Sequence, residues 1–231
     1  MTQIRHFATA AVKSQEQADK RDNSDYFVTM ANDKNAMNET LGAASDAAGL
    51  SALISRATRA GKGAAPVERW NPDFCGDLDM EIRADGTWFY LGTPIGRMPL
   101  VQLFSTVLRK DADGKTYLVT PVEKVGIRVV DAPFVAVEMD VSGKGDDQVI
   151  TFRTNVGDVV EAGPEHPIVV ETDPTTGEPA PRVHVRADLW ARIVRPVFYE
   201  LVELASVEDE RLTVRSGGEA FALGPKGAGV G

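Results

Sequence analysis

The sequence predicts an α+β fold, a duplicated strand-helix-strand core whose second half is rich in strands. Three observations point to it. The apolar period switches between two and 3.6 along the chain. The order strand, helix, strand occurs twice, in sets about 95 residues apart. The second set is preceded by many short apolar runs separated by turn residues.

Taken in order, residues 1–45 are rich in Asn, Asp, Gln, Lys and Ala without a sustained period, and read as a mobile leader. Leu50, Leu53, Ile54 and Ala57 fall at helical spacing, so a short helix is expected from Ala47 to Arg59. Gly61-Lys62-Gly63 ends it and opens a linker, giving a helix-and-linker segment over 46–65. Leu78, Met80 and Ile82 alternate with Asp77, Asp79, Glu81 and Arg83 as a half-buried strand, Asp85-Gly86 is a hairpin-turn signal, and Thr87 to Leu91 is the returning strand. A helix is expected from Ile95 to Leu108, carried by Ile95, Met98, Val101, Phe104 and Leu108. Tyr117 to Thr120 closes the first domain, 66–122, as a strand.

The second domain, 123–224, begins with strands expected at Gly126–Val130, Phe134–Val141, Val149–Asn155, Val159–Glu161, Ile168–Glu171 and Arg182–Arg186. A helix is expected from Asp188 to Ala205, with Leu189, Ile193, Val197, Leu201 and Leu204 on one face and Pro196 kinking its interior. Arg211 to Arg215 is the closing strand, with a short strand expected at Phe221–Leu223 and a disordered tail over 225–231.

Composition bounds the function. With 43% apolar and 26% charged residues the chain is ordinary globular material, and no run approaches the roughly 20 apolar residues that span a bilayer. One Cys excludes an internal disulfide and a multi-cysteine metal site, and the cytoplasm is the expected compartment. The net charge of −9 is uneven: residues 1–65 carry 8 basic and 7 acidic side chains, the remainder 17 and 27. Phosphate neutralisation drives nucleic-acid affinity, so neither a nucleic-acid polymer nor a membrane is an expected partner. Two or three local cations still suffice for a small anion.

No complete catalytic motif is present, so catalysis is not the favoured reading and no cofactor is assigned. Asp77, Asp79 and Glu81 project from one strand face at intervals of roughly 7 Å, too far apart to hold one hard cation unaided. A nucleophilic Cys75 would need His166 or His184 as its base, at a distance the sequence does not fix, and it reads instead as a buried structural residue. His6, His166 and His184 have no zinc spacing. Gly92-Thr93-Pro94-Ile95-Gly96-Arg97 offers a helix amino-terminus with a cation beside it, an anion cradle whose plainer reading is a helix cap. Thr120-Pro121-Val122-Glu123-Lys124 brings charge to the domain boundary, where a solvated linker is the plainer reading.

Pro66-Val67-Glu68-Arg69-Trp70-Asn71-Pro72-x-Phe74-Cys75-Gly76-Asp77, Asp85-Gly86-Thr87-Trp88-x-Tyr90-x-Gly92 through Arg97, Leu118 through Lys124, Thr154-Asn155-Val156-Gly157-Asp158 and Arg195-Pro196-Val197-Phe198-Tyr199-x-Leu201-Val202 together resemble the bacterial "domain of unknown function 1285" family. The resemblance spans about residues 61–223. It implies an α+β core made by domain duplication, a second domain resembling a pleckstrin-homology roll, a role in signal transduction, and a nucleotide-like ligand at the domain interface. It carries no residue-level binding assignment.

The favoured expectation is therefore a ligand-binding, sensory protein with a nucleotide-like small anion in its inter-domain cleft. Gly96 and Arg97 would hold a phosphate, with Lys124 adding charge. Trp70 or Trp88 would stack on a base, and Asn155 and Asp158 would hydrogen-bond a sugar or base edge, with Asp77 at the strand mouth. The alternatives are a protein-interaction module without a small ligand, and a hydrolase using Asp77 and Asp79 with a divalent ion.

Overall fold

The computed structural model describes residues 65–225; the expected leader, the helix over 47–59 and the tail beyond 225 lie outside them. Half of the described residues are in strands and 15% are helical, which overturns the α+β expectation: the described part of the chain is mostly β. The described chain divides into two compact units, one of residues 65–81 with 87–128, the other of Ile82–Gly86 with 129–225.

The first unit is a six-stranded sheet in the order β3-β2-β1-β6-β5-β4. Its strands are β1 (Phe74–Ile82), β2 (Trp88–Tyr90), β3 (Thr93–Pro94), β4 (Leu108–Lys110), β5 (Thr116–Thr120) and β6 (Glu123–Val129). In β1 the alternation read from sequence holds, with Leu78, Met80 and Ile82 buried and Asp77 and Asp79 exposed. Helix α1 (Met98–Thr106) is shorter at both ends than its apolar spacing predicts. Thr93 and Pro94 pair with β2 and the Ile95 N–H donates to Trp88 O at 2.8 Å, so the backbone up to Ile95 is committed to the sheet. Pro99 then sits in the first turn, where a missing N–H is harmless. At the other end Leu108 enters β4 and pairs with Leu118. Leu100, Val101 and Phe104 of α1 are buried, and Trp88 stacks on Phe104 at 6.2 Å between ring centroids.

The second unit has two sheets. One runs β10-β11-β12-β7-β8-β9, from β7 (Phe134–Ser142), β8 (Val149–Thr154), β9 (Val159–Glu161), β10 (Ile168–Thr172), β11 (Pro179–Arg186) and β12 (Leu189–Ile193). The other is the antiparallel meander β13 (Ser206–Glu208), β14 (Arg211–Ser216) and β15 (Glu219–Pro225). The helix expected over Asp188–Ala205 is a strand followed by a helix, β12 and then α2 (Arg195–Glu203). A spacing of four fits both periods, so Leu189, Ile193, Val197 and Leu201 do not discriminate between helix and strand. Small Ala191, fully buried between Leu189 and Ile193, does. β12 lies parallel to β7, with Ala191 opposite Phe134 and Ile193 opposite Ala136. Pro196 accordingly occupies the first turn of α2 and kinks nothing.

Neither unit is built on a strand-helix-strand core. Each helix instead leads into an antiparallel three-strand meander, β4-β5-β6 in the first unit and β13-β14-β15 in the second. The second unit therefore does not close with a C-terminal helix, as a pleckstrin-like roll would. β15 also runs to Pro225, the first residue of the expected tail. Ser216 docks the meander on the larger sheet: fully buried, it donates to Ala162 O at 2.7 Å and accepts from the Ile150 N–H at 2.8 Å. Phe134, Ile150, Phe152, Leu189 and Val214 fill the core beside it.

The segment Ile82–Gly86 is held within the second unit by three hydrogen bonds. The Val130 N–H donates to Ile82 O (2.9 Å), Arg192 Nη2 to Ala84 O (2.8 Å) and Asn155 Nδ2 to Gly86 O (3.2 Å). Gly86 has φ +83°, and a Cβ there would lie 2.6 Å from Asn155 Nδ2 and 2.8 Å from Val135 Cγ2. Gly92 shares the left-handed conformation, at φ +73°, but stands in open space. Gly86→Ala should cost roughly 2–3 kcal/mol, from strain and crowding together, and Gly92→Ala about 1 kcal/mol from conformation alone. Urea melts of the two variants check this, and equal losses would disprove the close packing at Gly86.

Candidate ligand-binding face

The polar face of the first sheet gathers charged and aromatic side chains by register. Arg109 of β4 stands opposite Tyr117 of β5, and Tyr117 opposite Gly126 of β6, beside which runs β1. Asp77 of β1 completes the row: a Cβ at position 126 would fall 2.2 Å from Asp77 Oδ1, so the glycine makes room for that carboxylate.

Arg109 is the hub. Its Nε donates to Asp111 Oδ1 at 2.6 Å and its Nη2 to Asp111 Oδ2 at 3.2 Å, a two-pronged pair. Its Nη1 donates to the carbonyls of Val67 (2.9 Å) and Trp70 (2.7 Å), pinning the 3₁₀ turn Val67–Arg69 and the tryptophan after it. Asp111 also receives Lys124 Nζ at 3.2 Å, and Lys124 lies 4.7 Å from the centre of the Tyr117 ring. The hydrogen bond from Arg109, assisted by Lys124, holds the Asp111 carboxyl below its ordinary value despite its partial burial. Tyr117 Oη donates to Asp113 Oδ2 at 2.6 Å, which lowers the Asp113 carboxyl and pushes the phenol up to about 12. The phenol therefore remains a donor throughout the physiological range.

One aromatic ring borders the network, and the backbone of a second aromatic residue is anchored to it. The Phe74 ring stands edge-on to Tyr117, with centroids 6.0 Å apart and planes at 83°, and is 54% exposed. Trp70 is half-buried, its backbone fixed by Arg109. A rigid polar floor edged by exposed aromatic surface suits a planar ligand with hydrogen-bonding edges.

Of the residues singled out from sequence, Trp70, Asp77 and Lys124 belong to this face. Trp88 is 1% exposed and stacked on Phe104, so it belongs to the core. Gly96 and Arg97 are exposed at the start of α1. The Leu100 and Val101 N–H groups already donate to Arg97 O and Pro99 has none, so the first turn offers an anion few amides. Asn155 and Asp158 lie in the second unit and serve its structure. Asn155 accepts from the Val135 N–H (3.0 Å) while holding Gly86, and Asp158 pairs with Arg186 (2.8 Å), whose guanidinium covers the Phe134 ring.

Cys75 is half-buried rather than buried, its thiol donating to Asp73 O at 3.3 Å. His184 is engaged by its own loops, with Nδ1 2.9 Å from Glu165 O and Nε2 2.5 Å from Ala187 O. Among the described residues no group of three or more His, Cys, Asp or Glu is placed to hold a metal ion.

Sequence reasoning missed Arg109, Asp111, Asp113 and Tyr117 as site residues. The signal was the alternation Arg109-x-Asp111-x-Asp113 running into the Asp113-Gly114 turn, with Tyr117 following. Alternating charges so close to a turn mark one strand face continuing past the strand end.

The family model described as "Domain of unknown function (DUF1285), N-terminal domain" matches residues 65–132, and "Protein of unknown function (DUF1285), C-terminal domain" matches residues 133–223. The chain is similar to the crystal structure of a DUF1285 family protein from Silicibacter pomeroyi DSS-3, with 54% identity, 74% of this chain and 94% of that chain covered, and a TM-score of 0.69. A DUF1285 family protein from Shewanella baltica OS155 matches at 25% identity over 55% of this chain and 91% of that chain, with a TM-score of 0.44. No curated protein matches.

Because the folded carboxyl of Asp111 is lowered, its contribution to stability is complete above the ordinary value of 3.8 and is lost as pH falls through the lower folded value. Asp111→Asn should cost roughly 1.5–3 kcal/mol at neutral pH, the range for hydrogen bonds to charged groups. The gap between wild type and variant should close on acidification below about pH 4. Chemical denaturation across pH measures it, and a gap independent of pH would show that the charge of Asp111 contributes nothing.

Proposed function

For a chain that belongs to the DUF1285 family, a family described as of unknown function, we propose that the role is that of a ligand-binding, sensory protein in signal transduction, taking a planar, nucleotide-like small molecule on the polar face of the first sheet. The observation that carries the reading is Phe74, a large apolar ring left 54% exposed yet fixed edge-on against Tyr117 beside a closed charge network. Exposed aromatics held in place are characteristic of recognition surfaces.

The chemistry of the face favours the ring-and-sugar part of such a ligand. Phe74 and Trp70 supply stacking area, and the Asp77 carboxylate accepts from an exocyclic amine or a sugar hydroxyl. Lys124, partly exposed and shared with Asp111, is the cation available to a phosphate. Asp111 competes for it, so phosphate adds less to binding here than it would at a dedicated phosphate loop. No bond-making step is assigned, because no side chain of the face combines a nucleophile with a base.

Titrating the full chain with nucleosides, their 5′-monophosphates and cyclic dinucleotides, read by intrinsic tryptophan fluorescence and calorimetry, tests the proposal. Saturable binding is expected for at least one of them. Phe74→Ala should weaken it at least tenfold, about 1.4 kcal/mol, with the melting temperature nearly unchanged because the ring is already half in water. The same affinity in Phe74→Ala, or no saturable binding to any compound, would overturn the assignment.

A further inference from the structure

The ligand face holds a glycine that its backbone does not require. Gly126 lies inside β6, paired with Tyr117, and its φ is outside the left-handed region, so any residue adopts its conformation. Glycine weakens a strand interior and often marks a place where another group comes close. Here that group is a carboxylate. A Cβ at position 126 would fall 2.2 Å from Asp77 Oδ1 and 3.7 Å from Tyr117 Cε1. One oxygen of Asp77 is thus seated over β6, near the Tyr117 ring against which Phe74 stands.

The donors around it are largely spent. Arg109 donates from all three of its side-chain nitrogens, to Asp111 and to the carbonyls of Val67 and Trp70. Tyr117 Oη donates to Asp113, and Lys124 Nζ is shared with Asp111. The exposed carboxylate of Asp77 is an acceptor. Asp77 has an interaction of its own within the protein. An ionised carboxylate offers about four lone-pair sites on its two oxygens, so it takes further donors beside that partner.

A base lying against Phe74 therefore meets a group that only accepts, and the common bases answer it differently. Guanine presents two adjacent donors, N1–H and the N2 amino group, spaced to meet both oxygens of one carboxylate. Adenine and cytosine present an amino donor next to a ring nitrogen that accepts. Uracil presents a ring N–H between two carbonyls. Each of these three sets a lone pair against the carboxylate, and that repulsion discriminates as much as the attraction does. We propose that the face selects guanine among the bases, Asp77 accepting from N1–H and the N2 amino group, with Gly126 as the positioning residue that leaves the carboxylate its room. The inference rests on the ligand face described above and names the base that this face takes.

Calorimetric titration of the full chain with guanosine, inosine, adenosine and xanthosine 5′-monophosphates (GMP, IMP, AMP and XMP) tests the selection. GMP should bind most tightly. IMP keeps N1–H and lacks the N2 amino group, so it should bind about tenfold more weakly, the worth of one hydrogen bond to a charged acceptor. AMP and XMP should be weaker than GMP by at least as much, since each sets an acceptor against Asp77. Asp77→Asn keeps the shape and exchanges one acceptor for a donor, so it should reverse the order of GMP and XMP. Asp79→Asn removes the same charge from the next outward position of β1 and should leave the wild-type order. Gly126→Ala displaces the carboxylate and should bring GMP to the level of IMP; melting curves establish that each variant is folded. Equal affinity for GMP and AMP, a wild-type order in Asp77→Asn, or the same reversal in Asp79→Asn would each overturn the guanine assignment while leaving the ligand face in place. Binding of no nucleotide at all would instead remove the ligand face, and the selection with it.

Discussion

The first unit depends on one guanidinium. Arg109 sits at the start of the meander, yet it fixes a segment some forty residues earlier in the chain by gripping the carbonyls of Val67 and Trp70. A planar fork can do this because its donors point in several fixed directions at once, two to a carboxylate and one shared between carbonyls. Lysine in its place has one point of charge and no fork. Everything on the polar face follows from that anchoring: Asp111 is placed to receive Lys124, Lys124 is drawn over Tyr117, and the chain entering β1 is positioned so that Phe74 meets the tyrosine edge. The network is mutually neutralising, which explains how so many charges coexist on a partly buried sheet face.

Strand patterns were the most legible part of the fold. Leu78, Met80 and Ile82 announce β1 because one face is buried and the other wet, so the alternation is complete. β9, over Val159–Glu161, was read to the residue. The helices were over-read for a common physical reason. Backbone commitments made by tertiary pairing, Ile95 to Trp88 in one case and β12 to β7 in the other, remove residues that the side-chain spacing would allow in a helix. Local periodicity does not register such commitments. The proline in each first turn, Pro99 and Pro196, was the more faithful marker of where helix begins.

The candidate site was only partly legible, and the residues missed share a cause. Trp70, Asp77 and Lys124 stood out as conspicuous residue types near turns, whereas Arg109 and Tyr117 acquire meaning only from cross-strand register. Conversely, Asn155 and Asp158 look like ligand contacts in sequence because polar residues at a turn often are. Here Asn155 bonds the backbone of Val135 and Gly86, and Asp158 pairs with Arg186. Pairing among side chains is general in the second unit, where Arg153, Arg182, Arg186, Arg192, Arg195 and Arg215 each meet a carboxylate.

The parallel pairing of β12 with β7 has a consequence for how the chain is made. Phe134 meets Ala191 across a long stretch of intervening chain, so the larger sheet of the second unit cannot be completed until β12 has left the ribosome. Until then β7 waits with one side of its ladder unfilled and with Phe134, Val135 and Ala136, all buried in the finished protein, in contact with solvent. Long-range pairing of this kind slows folding because loop closure must precede the contacts that reward it. An exposed apolar strand edge during that interval is also where nascent chains associate wrongly. Completion of the larger sheet of the second unit thus waits on a single late strand.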